Sequence, residues 1–491
     1  MFTQFLEKIK KSIFKDIFSI LTGTVLAQLI NVIAIPIITR LYTPEQTGSL
    51  AIFISITGVL TIVSSLRYEL AIILPDTFEE ASNILVLCFL LVIFTTFLVW
   101  ILTISVGNTF LKLLNASNLF TYLWVLPLLN FFTGIFQVIS YWNTRFHKFG
   151  DVSIGRVTYS GITSSFQVGL GLINPPTIGI LIHGVIWGNI ASTLVLFTKT
   201  FWTDLQKILS AIDIELMKSL IYRYRKFPLY STGSGILNYF SWQLPTLMLA
   251  AYFSPSVSGL YDLGNKILRM PMNLIGVTIS QAFLPRAAEA QKEGHLSKLV
   301  ENSLDYLVLF TLFPLLVLTI TGSDLFFLLF GKEWAEAGVY TQILSIWMFF
   351  WFISSPISNI FLVLQKQEFS LKLDIVIFIS RFISLLIGGI SQNPRIAILL
   401  FALSGIIVYG FLCVMIMNIS GANWKKLSQY IGKSLGAFIP LGCLLSFLTY
   451  LDFSREIILL IAFLGTSLYY SIIIWKRKWI LKMMDKKLYQ S

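Results

Sequence analysis

Five of the 36 Lys and Arg residues stand inside segments that are otherwise apolar enough to cross a membrane: Arg67, Arg156, Lys266, Arg269 and Arg381. A cation at the bilayer centre costs roughly 3 kcal/mol or more, so it is normally set against a polar cavity or a partner. A surplus of such cations is chemistry for binding an anion. The run YDLGNKILRMPMN spaces Asp262, Lys266, Arg269 and Asn273 by 4, 3 and 4 residues, which is one face of a helix. At the rise of an α-helix Arg269 lies about 14 Å inside the segment, near mid-bilayer. Pro271 then predicts a kink. Lys266 and Arg269 are the leading anion ligands. The competing arrangement is a structural Asp262–Lys266 pair with Arg269 engaged elsewhere.

Arg381 is also near mid-depth, with Asp374 seven residues earlier on the same helical face. In SLRYELAIILP, Arg67 and Glu69 are two residues apart. On a helix that spacing points them away from each other, so each is expected to find a different partner. Arg67 and Arg156 are shallower, within reach of the cytoplasmic headgroups by snorkelling, and serve as entry-side contacts. Glu69, Asp262 and Asp374 are the acids in or near spans available to couple transport to an ion. His183 precedes the small-residue stripe Gly184, Gly188 and Ser192, a pattern of close helix packing. Tyr42, Trp187 and Trp475 read as interfacial anchors.

The remaining motifs narrow the chemistry. Cys88, Cys413 and Cys443 share no metal-ligand spacing and read as small apolar side chains. There is no GxxxxGK[ST], no HExxH and no Asp-x-Asp pair. No catalytic residue, cofactor or metal site is indicated.

The elements that must position these residues follow from composition. The 491 residues are 56% hydrophobic and 12% charged, with a mean hydropathy of +0.79. An all-α polytopic membrane protein is the implied class. The net charge of +12 recurs in short clusters between apolar runs and not in one patch, which argues against nucleic acid as a partner. About fourteen spans are expected. Six cover 17–39, 47–74, 83–106, 118–141, 152–172 and 177–198; six more cover 229–253, 260–284, 301–321, 339–364, 372–390 and 396–418. A last pair covers 431–450 and 457–475. With the N-terminus in the cytoplasm, 26 Lys and Arg fall on that side and 5 on the other, the five intramembrane cations completing the 36. That bias places both termini inside.

A repeat organises the spans. Thr22-Gly23 with Leu41-Tyr42-Thr43-Pro44 and Gly48 returns as Thr232-Gly233 with Tyr252-Phe253-Ser254-Pro255 and Gly259. Two six-helix lobes in the same orientation, facing a central cleft, are implied. The expected divisions are an N-lobe over 17–198, a cytoplasmic connector over 199–228, a C-lobe over 229–418 and a helix pair over 419–475. Residues 1–16 place Phe2, Phe5, Leu6, Ile9 and Ile13 on one stripe, an amphipathic helix for the headgroup plane. The connector stretch 203–226 repeats the pattern with Leu205, Ile208, Leu209, Ile212 and Leu216, and the basic tail 476–491 does so again. Anionic headgroups of the membrane lipids are the partners these stretches call for.

Three segments carry a family resemblance: LTGTVLAQLINVIAIPIITRLYTPEQTG; LRYELAIILP followed by Glu79-Glu80-Ala81; and LFGKEWAEAG. They resemble the oligosaccharide (Wzx-type) flippases of the multidrug/oligosaccharidyl-lipid/polysaccharide exporter superfamily. The extra C-terminal pair is similar to that of the lipid II flippases. The resemblance implies a MATE-like fold in the bacterial inner membrane. It also implies alternating-access movement of an undecaprenyl-pyrophosphate-linked oligosaccharide (an O-antigen, capsule or other surface-polysaccharide repeat unit) toward the periplasmic leaflet. A coupling ion, H+ or Na+, and polysaccharide polymerase or export machinery are implied partners. The family's cationic lumen maps onto Lys266, Arg269 and Arg381, with Arg67 and Arg156 toward the entry side. A multidrug or cation antiporter on the same scaffold would need a lumen rich in acids. A lipid II flippase is the other alternative. A membrane-embedded polymerase or glycosyltransferase would need larger outer loops.

Overall fold

Hydrocarbon offers backbone groups no hydrogen-bond partner, so an apolar run of this kind must satisfy them within its own helix. The computed structural model describes residues 23–272 and 276–488. They form α1 (Gly23–Leu41), α2 (Pro44–Val63), α3 (Phe78–Leu113), α4 (Val125–Arg145), α5 (Phe149–Ile173), α6 (Ile178–Ser210) and α7 (Ile214–Arg223). There follow α8 (Thr232–Tyr252), α9 (Pro255–Pro271), α10 (Val277–Lys292), α11 (Leu296–Phe330), α12 (Ala335–Ser354) and the short α13 (Ile360–Val363). The chain ends with α14 (Gln367–Ile390), α15 (Pro394–Ser420), α16 (Trp424–Tyr450) and α17 (Arg455–Leu488). The stripe expected over 2–16, and Asn273, lie outside the described residues.

Among the described residues 11 helices are long and apolar enough to cross a membrane, fewer than the fourteen spans expected. The other three, 152–172, 229–253 and 260–284, coincide with α5, α8 and the α9–α10 pair, whose serines, glycines and charges lower their apolarity. Over span 260–284, α9 is described to Pro271 and α10 from Val277, with a proline at the last position of α9.

The chain divides after Gly259 into two compact units. In the first, a buried cluster including Leu85, Trp142, Leu196, Ile208 and Leu220 binds α3, α4, α6 and α7 together. The connector is therefore not one interfacial helix: α6 runs on to Ser210, and the chain turns before α7. Fully buried Asn83 fixes that turn, donating to the Ala211 carbonyl at 2.8 Å and accepting from the Asp213 amide at 2.9 Å. Ile208 faces the core while Leu205, Leu209 and Ile212 stay exposed, so the expected stripe is split by the bend.

Small residues set the close approaches. A Cβ on Gly188 would lie 2.1 Å from Thr163 Oγ1, and one on Gly184 would lie 2.7 Å from Gln167 Cγ, so α6 presses on α5 along the predicted stripe. Tyr42 is not an interfacial anchor. It is buried, and its hydroxyl donates to the Gln167 carbonyl at 2.7 Å. Trp187 and Trp475 are exposed, as anchors must be.

The repeated turn appears twice with the same cap. Thr43 Oγ1 accepts from Gln46 N at 3.3 Å, and Ser254 Oγ accepts from Val257 N at 3.3 Å, each beside the proline that opens a helix. The equivalent glycines abut: a Cβ on Gly48 would sit 1.7 Å from the Pro255 oxygen, and one on Gly259 would sit 2.1 Å from the Pro44 oxygen.

In the second unit α16 and α17 are fastened to α11 at both ends. Buried Glu301 accepts from Lys426 Nζ at 2.5 Å and from the Asn423 amide at 2.8 Å. At the other end Asp324 pairs with Arg455 at 3.1 Å, and Arg455 also lies 3.9 Å from the centre of the Phe327 ring. Between them Tyr469 stacks on Phe313 with centroids 4.0 Å apart. Cys88 and Cys413 are buried; Cys443 on α16 is exposed.

Candidate functional site

The second unit holds three of the predicted cations. On α9 the i,i+4 spacing brings Lys266 Nζ to 2.6 Å from Asp262 Oδ2, so the competing ion pair exists and Lys266, half-exposed, has its charge matched. One turn on, Arg269 is partly buried with its guanidinium 5.8 Å from the centre of the Trp351 ring of α12. Arg381 of α14 is 3% exposed. Its Nη2 donates to the Tyr409 hydroxyl of α15 at 3.1 Å, and the guanidinium lies 6.0 Å from the Phe401 ring centre. Buried Tyr261 meets the same ring edge-on at 6.2 Å. Arg269 lies within electrostatic range of Arg381, Asp262, Tyr261 and Tyr409. Asp374 is exposed, though its carboxylate still feels Arg381. The result is two guanidinium groups among aromatic rings and phenols. Such groups give cations face contacts and hydrogen bonds, and the Asp262 and Asp374 carboxylates lie within electrostatic range of the pair.

The first unit holds the other two. Arg67 and Glu69 do pair, Nη1 to Oε1 at 3.5 Å, contrary to the helical-spacing argument. The reason is local: α2 stops at Val63, Leu66 and Arg67 take left-handed backbone at φ 50° and 64°, and Tyr68–Ile73 is a tight 3-10 turn. Off the α-helix, the rule that residues two apart diverge no longer holds. Glu69 is fully buried and also accepts from Ser65 Oγ at 2.5 Å and Gln137 Nε2 at 2.8 Å. Arg145, in sequence only another loop-side charge, donates to the carbonyls of Ile72, Ile73 and Thr77 and so closes the end of the same turn.

Arg156 is exposed and donates to Thr24 Oγ1 at 3.3 Å. It also lines a cavity of about 470 Å³ together with Gln137, whose amide reaches Glu69, the partner of Arg67. The structure thus brings Glu69 into contact with both Arg67 and Gln137, places Arg156 in the same cavity lining as Gln137, and groups Asp262, Lys266, Arg269 and Arg381 separately in the second unit. Sequence reading missed Tyr409, Ser65 and Gln137. The first two are polar residues with no motif of their own. Gln137 had a signal, because it belongs to a polar stripe along α4 at helical spacing.

A family model described as "Polysaccharide biosynthesis protein" matches residues 37–339. The chain belongs to this family. Among curated proteins it is similar to the lipopolysaccharide biosynthesis protein WzxC of Escherichia coli (strain K12), with 23% identity over 215 residues, 44% of this chain. The match spans 42% of that relative's length. Among solved structures, the lipid II flippase MurJ in an inward closed conformation superposes with a TM-score of 0.70 at 14% identity, covering 94% of this chain and 99% of that one. An inward-facing multidrug resistance MATE family transporter of the MOP superfamily superposes at 0.66 with 12% identity, covering 80% and 94%. At these identities the likeness shows the fold, which is the MATE-like architecture expected from sequence. This family member is a multi-pass membrane protein of that fold.

Proposed function

We propose that the chain is a flippase for an oligosaccharide linked through pyrophosphate to a polyprenyl lipid. It carries the repeat unit of a surface polysaccharide from the cytoplasmic to the outer leaflet of a bacterial cytoplasmic membrane by alternating access. One observation carries the reading: buried Arg381 is bonded to a neutral phenol and lies within electrostatic range of a second guanidinium, Arg269. A protein that only had to be stable would gain by replacing a buried charge with an apolar side chain of similar volume. A buried guanidinium with a second one in range suits a recurring anion, and a pyrophosphate matches paired guanidinium groups. Family membership supports polysaccharide assembly as the setting, and WzxC and MurJ supply the precedents by name.

The chain's own groups carry the cycle. Arg269 and Arg381 replace part of the hydration that the pyrophosphate loses, while the lipid tail stays in the bilayer. Lys266, relieved of Asp262, adds a third charge, and Arg67 meets the anion early. No covalent step is required, so no catalytic residue or cofactor is assigned. Buried Glu69, held by Arg67, Ser65 and Gln137, is the best placed acid to couple movement to H+ or Na+, with Asp262 and Asp374 as the others. Polymerase and export machinery are the proposed downstream partners.

The test is transport in proteoliposomes containing undecaprenyl-pyrophosphate-linked oligosaccharide, read by enzymatic access to the glycan in the far leaflet. Wild type should equilibrate the lipid across the bilayer, and Arg269→Gln with Arg381→Gln should slow it by at least about 100-fold, two lost charge contacts of roughly 1.5 kcal/mol each. Transport by the double variant at the wild-type rate would refute the assignment.

A further inference from the structure

The cavity of the first unit has a lining that the pyrophosphate does not explain. α4 contributes Thr133, Phe136, Gln137, Ser140, Tyr141 and Thr144, at successive spacings of 3, 1, 3, 1 and 3. That is one helical face, polar and aromatic along its whole length. Polar side chains in a membrane helix face a polar space or another helix, because hydrocarbon would leave them unsatisfied. Thr61 of α2, Val152 and Arg156 of α5 and Asn189 of α6 complete the wall, and at about 470 Å³ the space falls within the usual range for small-molecule sites.

The hydrogen bonds show what kind of ligand would fit. The donors of the wall are largely committed to the protein itself. Thr133 Oγ1 donates to the Leu129 carbonyl at 2.7 Å, Ser140 Oγ to Phe136 at 2.7 Å and Thr144 Oγ1 to Ser140 at 2.8 Å. Asn189 Nδ2 donates to the Val185 carbonyl at 2.8 Å, and Gln137 Nε2 to Glu69. A hydroxyl whose proton is engaged still has lone pairs to offer, and a side-chain amide with one N–H engaged keeps its second N–H and its carbonyl oxygen. The wall therefore presents mainly acceptors, with the second amide N–H of Gln137 and of Asn189 and the Tyr141 hydroxyl, two aromatic rings and, among its lining side chains, one charge, the Arg156 guanidinium. The complement is a ring rich in O–H donors with an apolar face and a single anionic substituent.

We propose that this cavity is a saccharide subsite that takes a sugar ring bearing a carboxylate, with Arg156 on the carboxylate and α4 on the ring hydroxyls. The assignment rests on the flippase reading and adds to it the class of sugar selected. Its test needs no transport. Full-length protein in nanodiscs is titrated with glucuronate, glucose and inorganic pyrophosphate by calorimetry. Wild type should bind glucuronate at least about tenfold more tightly than glucose. Arg156→Gln should bring glucuronate down to the level of glucose, and Asn189→Leu, which replaces an acceptor with bulk, should weaken both sugars. Equal affinity for the two sugars in wild type, no binding of either, or displacement of glucuronate by pyrophosphate would each overturn the subsite. The wild-type comparison stands even if a variant fails to fold. Failure of transport with sugar binding intact would count against the flippase reading alone.

Discussion

Arg381 is a charged side chain buried to 3% exposure, and one of its contacts is the Tyr409 hydroxyl. Stability and function pull in opposite directions at such a residue. Methionine fills a similar volume without a charge to desolvate, so Arg381→Met should raise the thermal midpoint in detergent or leave it unchanged, while transport falls. A drop of several degrees would instead make Arg381 a structural cation, because removing one partner of a tight polar network costs stability. Tyr409→Phe separates the two cases further. Losing one charge-assisted hydrogen bond should cost about 2 kcal/mol of stability and only a modest part of the rate, since the guanidinium itself remains.

At the scale of elements, the closest approach in the first unit is where the two copies of the repeated turn meet. Gly48 and Gly259 each leave room for the other's helix start, and a methyl on Gly48 would collide with the Pro255 carbonyl. Gly48→Ala is expected to lower the thermal midpoint by several degrees, as is Gly259→Ala. The double variant should cost less than the two single effects together, because one displacement relieves both clashes. Additive losses would show that the two glycines act separately. This contact was half legible in the sequence: the repeated Thr-Pro and Ser-Pro turns with their glycines could be seen, while their packing against each other could not. The same division runs through the molecule. Helices and their approximate limits follow from apolar runs, and the face shared by Asp262, Lys266 and Arg269 follows from spacing. The Arg67–Glu69 pair, the buried Tyr42 and the bend held by Asn83 do not, because each depends on a local departure from helix or on a residue more than 100 positions away. The polar face of α4 was legible by the same spacing rule, and went unread because none of its members is charged.

For the molecule as a whole, sidedness decides what the two charged groups can do. Basic residues number 26 on one side of the expected spans and 5 on the other, and that asymmetry orients membrane proteins with the richer side in the cytoplasm. Arg145 and Lys148 flank the end of α4 at which Ser140, Thr144 and Arg156 line the proposed saccharide cavity, so on that orientation the cavity would belong to the cytoplasmic half of its unit. A glycan entering from the cytoplasm would be read there. Sidedness is testable without transport. A fluorescent protein fused after Ser491 should mature, since it folds in the cytoplasm, and a phosphatase inserted after Gln392 in the turn between α14 and α15 should be active outside. In a cysteine-free background, Ser140→Cys should react with a membrane-impermeant maleimide in inside-out vesicles at least about tenfold faster than in right-side-out ones. Labelling of comparable speed from both sides in resting vesicles would mean that the cavity is reached from the outer face as well, and a glycan could not be selected there on entry alone.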